Sequence, residues 1–157
     1  MTDFYMLPGF LGTRATFGPD LALVLILFSS ALFTIGWQLA VHKHYVIHRW
    51  VQTSAATINA LAVLVIMVGS FWGFVLPTLP GKIAQPVTAI TTFHAFIGTI
   101  TFLLGVFIVL RANKLGVIPK RWRFNNYKLF MRTSYSLYMF TTLVGIAVYV
   151  VTYMLVS

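Results

Sequence analysis

Val41-His42-Lys43-His44-Tyr45-Val46-Ile47-His48-Arg49-Trp50 is the stretch whose reading decides the fold, because it is a short basic interruption between two long apolar runs. Upstream, Leu21 to Val41 is predominantly apolar and matches the roughly 20 residues that cross a hydrocarbon core at about 1.5 Å each. Downstream, Trp50 to Leu76 is a second such run, slightly long, with Trp50 and Trp72 placed as interfacial anchors. If the stretch is a turn, the two runs form an antiparallel membrane hairpin. It also holds three of the four histidines in the chain, so a metal site and contact with lipid head groups stand beside the topological reading.

Composition supports the membrane reading. Of 157 residues, 59% are hydrophobic and 8% charged, with a mean hydropathy of +0.90; a soluble domain carries roughly a quarter charged residues. The acids are Asp3 and Asp20, both outside the apolar runs, and there is no glutamate. Paired carboxylates for glycoside chemistry, acidic calcium sites and an intramembrane Asp/Glu relay are therefore excluded. With no cysteine, so are disulfides, thiolate nucleophiles, iron–sulfur clusters and c-type haem attachment. The net charge of +9 lies mostly at the ends of apolar runs. That is the positive-inside pattern, so the lipid bilayer is the expected partner and nucleic acid is not.

Two further runs complete the architecture. Residues Met1 to Pro19, broken by Pro8, Gly9, Gly12 and Gly18, lack the basic start of a signal peptide, and Phe4, Tyr5, Phe10 and Phe17 suit the membrane interface. Pro77, Pro80, Gly81 and Pro86 separate the second run from a third, about 87–111. The basic segment Lys114 to Arg123 precedes a fourth, about 125–156, which Asn125 or Asn126 is placed to cap. The spans predicted are thus 21–41, 50–76, 87–111 and 125–156 of a single all-α domain, an integral membrane antiparallel four-helix bundle. The connection between the first two spans and the segment Arg111 to Arg132 hold nine of the eleven Lys and Arg; only Arg14 and Lys82 lie on the other side. Both termini are expected on the non-cytoplasmic side of a prokaryotic plasma membrane.

Small and polar residues mark helix contacts in lipid. Gly69 and Gly73 form a GxxxG pair on the second span, Gly98 and Gly105 share a face of the third, and Asn59 reads as an interhelical hydrogen bond in mid-span. Tyr127, Tyr135, Tyr138, Tyr149 and Tyr153 read as packing and interfacial anchoring.

The histidines divide into two groups that do not make one joint site. His42, His44 and His48 lie at the basic surface, with His44 and His48 four apart on one helical face, as metal ligands often are. His94, about two turns into the third span from the other side, is expected to be separated from them by most of the roughly 30 Å core. Either Thr91 and Thr92 satisfy its ring while it packs the third span on the second, or it is a ligand or proton-handling group.

The order of features resembles the YozB-like family of small four-helix membrane proteins, a domain of unknown function associated with haem-copper oxidases. The residues that carry the resemblance are His48-Arg49, His94, and the closing stretch Lys128 to Arg132 followed by Tyr138, Phe140, Thr142, Gly145, Val148 and Tyr149. The chain departs from that pattern at Gly69 and Phe71, and again at Tyr127, where the family carries histidines. What the resemblance implies, together with the missing acids, is a non-catalytic accessory subunit or assembly factor of a respiratory membrane complex of the haem-copper oxidase type. No cofactor of its own is expected. The alternative is a metal- or haem-binding redox protein, with haem or copper held by His42, His44 and His48, or by His94 and a further partner.

Overall fold

The structure, a computed structural model, describes residues 7–79, 81–112 and 126–155. Asp3, Phe4, Tyr5, Pro80, Asn125 and the basic segment Lys114 to Arg123 lie outside the described residues, as does the side chain of Tyr127. Four helices are long and apolar enough to cross a membrane. They are α1 (Phe17–Val41), α2 (Tyr45–Thr78), α3 (Pro86–Ala112) and α4 (Tyr127–Val150, continued by a π-helical turn over Val151–Leu155). Among the described residues the only pairing outside helices is an isolated antiparallel bridge between Pro8 and Thr16.

The first two helices are joined more tightly than the apolar pattern suggests. α1 closes in a Schellman arrangement, with the His44 amide donating to the Leu39 carbonyl and the Lys43 amide to that of Ala40. Lys43 takes the left-handed position, φ 64°, which glycine normally fills. With the turn complete at His44, α2 starts at Tyr45 rather than at Trp50. The N-terminal end of α1 likewise lies earlier than expected, at Phe17, because Pro19 is tolerated in a first turn. Asn126 caps α4, its side-chain oxygen accepting from the Leu129 amide at 3.4 Å.

α1 lies against both α2 and α4, and α3 against both α4 and α2, the arrangement of a closed four-helix bundle. Hydrogen bonds fix the register. Between α1 and α4 the pairs are Thr34 with Tyr135, Ser30 with Thr142 and Asp20 with Tyr149. Between α1 and α2, His48 Nδ1 meets the Gly36 carbonyl at 2.6 Å and Gln52 donates to that of Phe33 at 3.2 Å.

Of the glycines the spacing singled out, Gly98 lies in contact with α4, whereas Gly73 and Gly105 face open space. At Gly73 and Gly105 a Cβ would meet nothing within 4 Å, and at Gly98 only the Thr141 methyl at 3.7 Å. Two π-helical turns, Ala62–Met67 and Phe71–Val75, interrupt α2 on either side of Val68–Ser70, so the four-residue spacing of Gly69 and Gly73 no longer follows the 3.6-residue period. Close approach occurs instead at Gly36, where a Cβ would stand 2.5 Å from Gln52 Nε2, and at Gly145, where it would stand 2.9 Å from His94 Cε1.

Candidate functional site

The residues before α1 fold back over its first turn and are fastened there by Asp20. Leu7 accepts from the Phe17 amide at 2.9 Å, and Gly12 turns the chain with φ 71°. Asp20, expected outside the first span, lies in the first turn of α1 and is fully buried, so the bundle does hold one acid. Its Oδ2 accepts from the consecutive amides of Phe10 at 2.7 Å and Leu11 at 2.8 Å, while its Oδ1 accepts from the Tyr149 hydroxyl at 2.5 Å. Since Tyr149 donates to the carboxylate, it accepts from Thr13 Oγ1, 2.7 Å away. A buried carboxylate is tolerable only when its oxygens are hydrogen-bonded, and here three donors supply that. Gly9 is required beside it, because a Cβ there would stand 2.6 Å from Oδ2.

From this knot a polar seam runs down the bundle. Tyr135, Tyr138, Thr142, Gly145 and Tyr149 recur at intervals of three and four residues and so share one face of α4. Tyr135 meets Thr34 Oγ1 at 3.1 Å, and Thr142 meets Ser30 Oγ at 3.2 Å. The Tyr138 hydroxyl donates to Asn59 Oδ1 of α2 at 3.2 Å and lies 3.5 Å from the Ile26 carbonyl, with its ring edge-on to Phe33 at 4.6 Å. Ser29, also fully buried, faces the same phenol. Beside the seam, Thr101 of α3 and Thr141 of α4 place their hydroxyls 2.9 Å apart.

His94 fills the one gap in that face. Its ring lies against Gly145, the seam position with no side chain, and the Thr141 carbonyl faces it. It therefore packs α3 on α4. Thr91 donates to the Val87 carbonyl instead of to the imidazole, and both Thr92 Oγ1 and His94 Nδ1 are buried without a protein partner. The ring is also deeper than expected. Interpolating the α1–α4 pairs puts Gly145 level with about Leu25, about eleven residues from Gly36, so His94 and His48 stand about 16 Å apart along the axis rather than at opposite membrane surfaces. That separation still rules out one haem between them.

The other histidines are engaged singly. His48 Nδ1 is bonded to Gly36 across the hairpin, His42 Nδ1 contacts the Gln38 carbonyl of its own helix at 2.9 Å, and His44 is exposed in the turn. Among the described residues no three of His, Asp or Glu gather as metal ligands would. The seam escaped the sequence reading only in part, since the spacing along α4 is visible. What hid Asp20 and Thr13 is that their partner Tyr149 stands 129 and 136 residues away.

Comparison with protein-family models, with curated proteins and with solved structures finds no match.

Proposed function

We propose that the chain is an accessory subunit or assembly factor of a respiratory membrane complex of the haem-copper oxidase type. In this reading it lies in the plasma membrane of a prokaryote with its basic end in the cytoplasm and both termini outside. The orientation rests on the nine of eleven Lys and Arg at that end. The assignment to oxidases rests on the resemblance carried by His48-Arg49, His94 and the pattern from Lys128 to Tyr149.

One structural observation carries the role in assembly. The polar side chains inside the bundle join its own helices to one another, whereas Gly73 of α2 and Gly105 of α3 stand open, leaving backbone that a neighbouring helix can approach closely. Gentle solubilisation followed by affinity capture of the chain tests the reading: cytochrome-containing subunits co-purify if it is right, and recovery of the chain alone defeats it.

A second reading, a haem- or copper-binding redox protein, is favoured by the unpartnered Nδ1 of His94. The optical spectrum and metal content of the pure protein decide it. A Soret band or a stoichiometric metal supports it, and neither being present rejects it.

A further inference from the structure

A proton crosses a membrane protein without an open pore when hydrogen-bonding groups that both give and take protons follow one another closely. The seam supplies such groups at every level of this bundle. Counted on α1, they are His48 at the level of Gly36, Tyr135 at Thr34, Thr142 at Ser30, Tyr138 with Asn59 at Ile26, His94 near Leu25 and Tyr149 at Asp20. No step between levels exceeds about 8 Å along the axis at about 1.5 Å per residue, a gap that two waters in file bridge with three hydrogen bonds of about 2.8 Å. Two further observations mark where waters belong. Ser29 Oγ and His94 Nδ1 are buried polar atoms with no protein partner, and buried polar groups of that kind are satisfied by ordered water. Both border the seam on either side of its longest steps.

We propose that this seam is a proton path, with His94 its central relay and the Asp20–Tyr149–Thr13 knot its terminus. His94 suits the place because an imidazole takes a proton on one nitrogen and releases one from the other. Beside it stand Gly145 and the Thr141 carbonyl from α4, and among the described residues no charged side chain is placed against the ring to trap a proton there. Each hydroxyl or phenol in turn accepts a proton from one neighbour and gives its own to the next, and one proton leaves for each that enters. Along the bonds of the knot, Thr13 gives its proton to Tyr149 as Tyr149 gives its own to the Asp20 carboxylate; Asp20 then releases a proton to water on the His94 side, and Thr13 is reprotonated at the strap surface. Gly145 belongs to the device because any side chain there displaces the ring. The proposal stands independently of the respiratory partner: it concerns what the isolated chain does in a bilayer.

The test uses the purified full chain in vesicles of phosphatidylcholine and phosphatidylglycerol that contain a pH-sensitive dye, with a potassium gradient and valinomycin imposing the voltage. Proton entry faster than in protein-free vesicles is expected. His94→Gln should return it to the protein-free rate, Tyr138→Phe should slow it, and Tyr45→Phe, an exposed phenol in the hairpin, should leave it unchanged. Helical circular dichroism establishes that each variant is folded. Should His94→Gln not fold, Gly145→Ala takes its place, since it keeps every proton-bearing group and moves only the ring. Wild-type protein at the protein-free rate, wild-type flux in a folded variant at His94 or Tyr138, or sodium passing as readily as protons overturns the proposal.

Discussion

Asp20 and Lys43 show how much single side chains decide here. Removing the Asp20 carboxylate leaves the amides of Phe10 and Leu11 and the hydroxyl of Tyr149 without their acceptor. Asp20→Ala is therefore expected to cost about 3 kcal/mol, the scale of losing a buried charged acceptor. It should also loosen the strap, so that trypsin cuts after the exposed Arg14 much faster in the variant than in the wild type. Lys43 has the opposite sign. Its left-handed backbone costs a non-glycine residue about 1 kcal/mol, so Lys43→Gly should stabilise the hairpin by about that amount in a detergent thermal melt. Neither site was readable as such. Asp20 looks like a charge flanking a span until Tyr149 is beside it, and Lys43 looks like one more basic loop residue.

Among the helices, glycine context separates contact from open surface. Gly36→Ala pushes a methyl into Gln52 and breaks the bond from Gln52 to Phe33, an overpacking worth about 1 kcal/mol after the gain in helix propensity. Gly73→Ala and Gly105→Ala meet nothing within 4 Å and should leave the isolated bundle as stable as before. If those faces receive a partner subunit, the same two variants lose co-purification while keeping their melting temperature. The four spans were legible because each rests on hydropathy that is local in sequence, and a lone amide such as Asn59 announces that it needs a partner. Which glycines close contacts was not legible. It depends on the helix register and on the π-helical turns of α2, and neither leaves a motif: Gly36 and Gly145 belong to no GxxxG.

For the molecule as a whole, the absence of cysteine makes orientation directly measurable, since any single introduced thiol reports without background. Leu11→Cys, exposed on the strap, and Val46→Cys, 72% exposed beside the hairpin, lie at opposite ends of the bundle. In the proposed orientation an impermeant maleimide labels the first in intact cells and the second only after permeabilisation; the reverse pattern inverts the topology. The strap adds a temporal constraint. Its amide bonds to Asp20 are local, but the third donor to that carboxylate is a hydroxyl 129 residues further along, so the knot is complete only when the last helix is in the membrane. A product that stops short of Tyr149 keeps the strap tied by its amides but leaves a buried carboxylate oxygen without its donor, so the unfinished chain carries the cost of that charge until α4 arrives.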